Sequence, residues 1–107
     1  MTDAPPLAEQ IELLRLFTAD LPPSLRELVI ERYRMGYMQY GDAWAGRDNL
    51  AEVPPELADA LVYVFQAVMS EQVRLLDIEQ TRNALSDTWM YFTAMQRAAQ
   101  RRQEATQ

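Results

Sequence analysis

Apolar residues recur at intervals of three and four along two stretches in the first half of the chain, which is the spacing of one helix face. We predict a first helix from Leu7 to Thr18 and a second from Pro23 to about Tyr40. A diproline precedes or opens each stretch, and proline suits the first turn of a helix because the amide hydrogen it lacks has no partner there. Gly41 follows the second stretch, as expected where a helix ends. The side chains expected to face inward are Leu7, Ile11, Leu14, Phe17, Leu25, Leu28, Val29, Tyr33 and Tyr37.

Two further apolar stripes follow Pro55, in a region that contains neither Gly nor Pro. They predict a third helix from Glu56, apolar on most of its circumference like the central element of a bundle, and a fourth helix towards the C-terminus. Asp77 and Gln80 resemble a capping box and predict the break between these helices near residue 77. The stripes are Leu57, Leu61, Val64, Val68 and Leu75, and then Ile78, Leu85, Trp89, Phe92 and Met95.

Residues 41–53 separate the second and third helices and mix glycines, charges and a Trp, which favours an ordered loop. A short helical turn after Asp48 is one option within it. The whole pattern predicts a single all-α domain over residues 1–107, four-helix bundle-like, with frayed ends at residues 1–5 and 104–107.

Composition narrows the chemistry that this chain of 107 residues can perform. It has no Cys and no His, which excludes thiol- or histidine-based nucleophilic catalysis and zinc sites of the usual kind. The net charge is −6 and all ten basic residues are Arg, so nucleic acid is not an expected partner. Neither a signal peptide nor an apolar run of about 18 residues is present, so we expect a cytoplasmic protein without a membrane partner.

Two pairs of acidic residues could carry chemistry. Glu56 and Asp59 are three apart at the start of the third helix, and Glu27 and Glu31 are four apart on the second. If these helices pack antiparallel, the pairs converge, and converging carboxylates call for a hard cation such as Mg²⁺ or Mn²⁺. Such a cation could activate a water for phosphoanhydride cleavage. The alternative is that Glu56 and Asp59 only interact with the helix dipole, and that Glu27 and Glu31 are solvated or paired with nearby arginines.

Aromatic residues form a second candidate feature near the loop. Rings at such spacing can stack on a base, and Arg47 with Asn49 could contact a phosphate or a base edge. The alternative is that the rings belong to a core or an interface. The residues are Tyr33, Tyr37, Tyr40 and Trp44, with Tyr63 one turn after Asp59 on the acidic face.

The last helix carries more apolar side chains than one core requires, which favours a homodimer or a higher homo-oligomer over a well-packed monomer. The surplus consists of Trp89, Phe92 and Met95, with Met90 and Tyr91 beside them.

Residues 55–68, PELADALVYVFQAV, resemble the second signature of the MazG-type all-α nucleoside triphosphate pyrophosphohydrolases, an ExxD pair that opens an apolar helix. Glu56 and Asp59 match that pair. The segments YGDAW (40–44) and RDNL (47–50) also resemble the loop of small MazG-like proteins, many of them from phages. The resemblance covers roughly residues 27–68 and implies a MazG-like fold, a dimer or tetramer, and Mg²⁺-dependent cleavage of the α–β phosphate bond of a nucleotide.

The resemblance also implies roles for the carboxylates. Glu31, Glu56 and Asp59 would bind the metal, and Glu27 would act with Glu31 as a catalytic carboxylate, either as a ligand or as a base. The residues expected to hold the substrate are Arg34, Arg47, Asn49, Tyr63 and Arg82.

The second helix departs from the family's ExxE pattern, because the position three residues after Glu31 is Arg34. A cation there would either cradle a phosphate or ion-pair with Glu56 or Asp59 in place of the metal. A second hypothesis is therefore a non-catalytic interaction protein on a MazG-like scaffold, without a cofactor. A phage accessory protein or an inhibitor of a host protein would be of this kind.

Overall fold

The computed structural model describes residues 4–106, and over this range the chain is all-helical without a β-strand. Three short 3₁₀ turns connect the helices, at Ala43–Gly46, Leu50–Glu52 and Leu75–Ile78. The prediction of an all-α chain with four helices is confirmed. None of the described helices combines the length and the apolar character that a membrane crossing requires. The four α-helices are α1 (Leu7–Phe17), α2 (Pro23–Tyr40), α3 (Val53–Met69) and α4 (Glu79–Ala105).

The described chain divides after Asp48 into two compact units. In the first unit α1 packs on α2, and in the second α3 packs on α4. Each unit is thus built around one pair of helices, and the single domain over residues 1–107 stays a prediction. The frayed ends predicted for residues 1–5 and 104–107 fall partly outside the described residues, and α4 continues through Ala105.

The boundaries of the first two helices follow the prolines and the glycine that predicted them. Pro22 precedes α2 and Pro23 occupies its first turn. Gly41 ends α2 with a φ of 61°, a left-handed conformation that glycine adopts without the steric cost of a Cβ. Its amide donates a hydrogen bond of 2.7 Å to the carbonyl of Tyr37. The expected short helical turn after Asp48 is also present, at Leu50–Glu52.

The third helix begins and ends earlier than the pattern predicts. It starts at Val53 because Pro54 and Pro55 fit inside its first turn, where no amide hydrogen is needed. It ends at Met69, so Leu75 does not continue its apolar stripe. The chain then turns through Glu71, whose φ is 61°.

The predicted capping box before the last helix is wrong. The residue that precedes α4 is Ile78, and no side chain caps the helix. Asp77 instead accepts hydrogen bonds of 3.0 and 3.3 Å from the guanidinium of Arg74. This local ion pair satisfies the carboxylate. The segment between α3 and α4 runs from Ser70 to Ile78, so the predicted break near residue 77 falls inside it.

Few apolar side chains are buried in the described chain, and they are Ile11, Ile30 and Phe92. The inward-facing prediction is right for Ile11 but wrong for Phe17, which is 84% exposed, and for Leu25 and Leu28. The side of α2 that packs inward is rotated relative to the predicted stripe, so that Ile30, at 1% exposure, becomes its best-covered residue. Period alone cannot choose between two overlapping apolar stripes on one helix.

Candidate functional site

An aromatic pocket of about 240 Å³ lies in the first unit, between α2 and the turn that follows it. Positions 33, 36, 37 and 40 recur at helical spacing and therefore share one side of α2. Gly41 then lets the chain change direction, so that Trp44 and Arg47 reach the same cavity. The pocket is lined by Arg32, Tyr33, Gly36, Tyr37, Tyr40, Gly41, Trp44 and Arg47.

A polar network anchors one wall of this aromatic pocket. The hydroxyl of Tyr33 donates a hydrogen bond to Oε1 of Gln10 on α1. The amide of Gln10 donates in turn to Oδ1 of Asp42 at 2.8 Å and to the carbonyl of Pro5 at 2.7 Å. Burial, and then the negative charge of Asp42, raises the pKa of Tyr33 above its ordinary value. The phenol therefore keeps the proton that it donates to Gln10 up to a higher pH than an ordinary tyrosine does.

Gln10 was not among the residues singled out from the sequence, although it is only 6% exposed. A signal was available, because position 10 falls between Leu7 and Leu14 at the spacing of the apolar stripe of α1. A polar residue at such a position needs buried hydrogen-bond partners, and Tyr33 and Asp42 are two of them.

The arginines of the pocket differ in part from those expected. Arg47, one of the residues expected to hold the substrate, lines the pocket, and its role stays a prediction. On α2, however, the lining arginine is Arg32, which the sequence interpretation missed although it lies four residues before Gly36. Arg34 is about 160° from Arg32 around the helix axis. It shares an exposed side of α2 with Glu27 and Glu31.

The four acidic candidates are all exposed, as one pair on each of two helices. Glu56 lies in the first turn of α3 and Asp59 one turn later. Among the described residues of either unit, no three carboxylates come together in a way that could hold a metal ion. Each unit by itself thus offers a pair, and a metal site of Glu31, Glu56 and Asp59 needs ligands from both units. That site stays a prediction, as does the pairing of Arg34 with an α3 carboxylate.

The remaining candidates occupy three separate positions in the second unit. Tyr63 is 71% exposed on α3, on the same side of the helix as Glu56 and Asp59. Asn49 is exposed and precedes the turn Leu50–Glu52. Arg82 lies in the first turns of α4 and lines a shallow cavity of about 190 Å³ with Leu75, Leu76 and Glu79. The roles expected of these three residues stay predictions.

Comparison with known proteins identified no relative: no family model matches the chain, and no curated protein or solved structure is significantly similar to it. The function is therefore inferred from the aromatic pocket, the carboxylates and the apolar surfaces of the described residues.

Proposed function

We propose that the chain is a cytoplasmic, MazG-like and metal-dependent nucleotide pyrophosphohydrolase on a four-helix bundle-like fold. Its reaction would be cleavage of the α–β phosphoanhydride of a nucleoside triphosphate. The observation that carries this proposal is the aromatic pocket of the first unit, where four aromatic side chains and two arginines line one cavity. Stacking on an aromatic side chain contributes about 1–3 kcal/mol per base, and guanidinium groups bind phosphate oxygens strongly.

The size of the pocket suits part of a nucleotide. Sites that enclose a whole small molecule measure about 300–1,000 Å³, and this pocket measures about 240 Å³. A base would lie among Tyr37, Tyr40 and Trp44. The triphosphate would then have to pass around α2, because Glu27 and Glu31 lie on the opposite side of this helix. Arg32 and Arg47 also line the pocket and would bind the base edge or the phosphate nearest to it.

The proposal requires the carboxylates of α2 and α3 to share one cation. Glu31, Glu56 and Asp59 would hold it, and Glu27 would be a further ligand or a base. When bound, Mg²⁺ or Mn²⁺ would neutralise phosphate charge and lower the pKa of an attacking water. Arg34 would add a positive charge on the side of α2 that carries Glu27 and Glu31.

Pyrophosphate release from a panel of unmodified and modified nucleoside triphosphates, with Mg²⁺ or Mn²⁺, tests the activity. We expect E56Q and D59N to reduce turnover by more than the 10–100-fold that loss of an outer-shell partner costs, because each removes a direct ligand. E12Q is the matched control, since Glu12 is an exposed carboxylate on α1. Absence of turnover across the whole panel would refute the activity.

Binding can be tested separately from hydrolysis because the chain has only two tryptophans. In a W89F background Trp44 is the sole reporter, and stacking of a base in the pocket should quench its fluorescence. R32A should weaken this quenching, whereas R101A, on exposed α4 surface, should not. Unchanged Trp44 fluorescence at saturating nucleotide would exclude the pocket as the base site.

A second candidate function is a non-catalytic helical interaction module, such as a phage accessory protein or an inhibitor of a host protein. Two observations favour it: neither unit gathers three carboxylates within the described chain, and many large apolar side chains are exposed. It predicts nucleotide binding without turnover, or no nucleotide binding at all. Calorimetric Mg²⁺ binding that disappears in E56Q would count against it.

A further inference from the structure

Gly36 lies inside α2, at a position where nothing in the described structure requires a glycine. It lines the aromatic pocket, and a Cβ added to it would meet no atom within 4 Å. Its φ is not in the left-handed region, so the backbone does not require a glycine either. Glycine destabilises the interior of a helix relative to alanine. What Gly36 provides is open space in the wall of the pocket.

The open space at Gly36 lies between two side chains of different chemistry. Arg32 precedes Gly36 by one helical turn and Tyr40 follows it by one turn, and both line the same pocket. A flat ring can therefore approach the backbone of α2 at Gly36, with a guanidinium towards one end of the helix and an aromatic side chain towards the other. Tyr37 and Trp44 add further aromatic surface to the cavity.

The charge of the lining restricts which flat ring suits the pocket. Its charged members are Arg32 and Arg47, and none of the described residues that line it is acidic. Within the described chain, Arg32 has neither a hydrogen bond nor an ion pair. Aromatic residues also bind cations, but two guanidinium groups repel a cationic ligand. Because a guanidinium offers only donors, the ligand should be flat and should present hydrogen-bond acceptors.

Guanine is the common purine whose edge matches a guanidinium. Its N7 and O6 are adjacent acceptors, and an arginine can donate to both at once. Adenine instead places an amino group, which is a donor, beside its N7. A pyrimidine has a single ring and covers less of the four aromatic side chains than a purine does. The lining therefore favours guanine over the other bases.

We propose that the aromatic pocket selects guanine nucleotides, with the base lying over Gly36 and its N7 and O6 accepting hydrogen bonds from Arg32. The inference rests on the proposed function for the use of this pocket as the base site, and it adds which base the site takes. It assigns Arg32 to the base and not to the phosphates, which would leave the pocket towards Glu27 and Glu31. Gly36 then contributes to binding, because a larger residue would occupy the place of the ring.

Quenching of Trp44 fluorescence in the W89F background, by nucleoside monophosphates without divalent metal, tests the choice of base in the absence of turnover. GMP should bind about 5–150-fold more tightly than AMP, which is the discrimination that a bidentate contact to a base provides. Inosine monophosphate keeps N7 and O6 and should bind like GMP, whereas 7-deaza-GMP lacks the N7 acceptor and should bind more weakly. AMP or CMP binding as tightly as GMP would overturn the inference, and so would the absence of quenching by any of these ligands.

Two variants test the residues that the inference names. R32A should lower the affinity for GMP to that for AMP, whereas R101A, on exposed α4 surface, should keep the preference. G36A should weaken the binding of every nucleotide about fivefold or more, because its methyl group overpacks the base site, without any loss of thermal stability. If R32A weakened GMP and AMP equally, Arg32 would bind phosphate and the inference would be wrong. Wild-type affinity in G36A would also contradict it.

The inference and the proposed hydrolase activity can fail independently of each other. A guanine preference in binding, without pyrophosphate release from GTP, would refute the hydrolase and support the inference. Turnover of several nucleoside triphosphates with equal kcat/KM, together with equal binding of GMP and AMP, would overturn the inference and leave the hydrolase standing.

Discussion

Replacement of Tyr33 by Phe tests the network that fixes the wall of the aromatic pocket. The substitution removes one hydroxyl and keeps the ring, so the apolar lining of the pocket is preserved. It deletes the hydrogen bond that the phenol donates to Gln10, while the bonds from Gln10 to Asp42 and Pro5 remain. The variant therefore isolates the contribution of a single polar contact between α1 and α2.

The expected loss of stability follows from the burial of the acceptor, which is Oε1 of Gln10. A neutral hydrogen bond contributes about 0.5–1.5 kcal/mol, and a buried acceptor left without its donor costs about 1–3 kcal/mol. Gln10 is only 6% exposed, so water cannot readily replace the lost donor and the larger figure applies. We expect Y33F to lower the free energy of unfolding by about 1–3 kcal/mol, and the melting temperature by at least about 4 °C.

The pH dependence of the free energy of unfolding provides a second measurement. Because burial, followed by the charge of Asp42, raises the pKa of Tyr33, the folded state holds this proton more tightly than the unfolded state does. The resulting stability is fully present below the ordinary tyrosine pKa of about 10, and is lost as the pH rises through the higher folded value. Wild-type stability should therefore decline above about pH 10, and Y33F should lack this part of the decline.

The assay is urea denaturation followed by Trp44 fluorescence in a W89F background, at one fixed protein concentration because association shifts apparent stability. Y40F is the matched control, since Tyr40 is also on α2 but is 62% exposed and makes no bond to Gln10. If Y33F and Y40F unfold alike and lose stability equally at high pH, the network does not stabilise the first unit.

Five further substitutions test the fold, each by thermal or urea denaturation. I30A should lower the free energy of unfolding by about 2–5 kcal/mol because Ile30 is fully buried, whereas L28A, at a site 53% exposed, should lower it far less. Equal losses in the two variants would contradict the observed inward side of α2. G41A should lower the free energy of unfolding by about 1–3 kcal/mol because Gly41 has a φ of 61°, whereas G36A should raise it by about 0.5–1 kcal/mol. If G36A were the more destabilising variant, α2 would not end at Gly41. R74A removes an exposed ion pair and should cost at most about 1 kcal/mol, less at high salt; a larger loss would show that Arg74 has another role.

The sequence predicts the four helices well where local signals are strong. Prolines and Gly41 mark the bounds of α2 because backbone geometry restricts those residues wherever they occur. The apparent cap at Asp77 fails because this residue lies inside the 3₁₀ turn Leu75–Ile78, which leaves Ile78 at the position before α4. The residue at which a helix begins after such a turn depends on the local backbone path, which spacing does not encode.

The residues of the candidate site also fall into two groups, those that the sequence predicts and those that only the structure identifies. Four of the aromatic residues predicted to lie near the loop line one cavity together with Arg47, because helical spacing and a single turn suffice. They are Tyr33, Tyr37, Tyr40 and Trp44, whereas Tyr63 lies on α3. The presence of Arg32 in that cavity, rather than Arg34, depends on which side of α2 packs against α1. Tertiary packing determines which side of α2 faces α1, as the burial of Ile30 and the exposure of Leu28 show.

By itself, the sequence determined the helical class, the ends of α2, and the absence of cysteine and histidine chemistry. The tertiary structure decided that Gln10 joins Tyr33 to Asp42, and that an apolar groove of about 280 Å³ opens between α3 and α4. The physical reason is that backbone preferences act over three or four residues. Buried hydrogen bonds and grooves depend instead on how helices that are distant in sequence are rotated against each other.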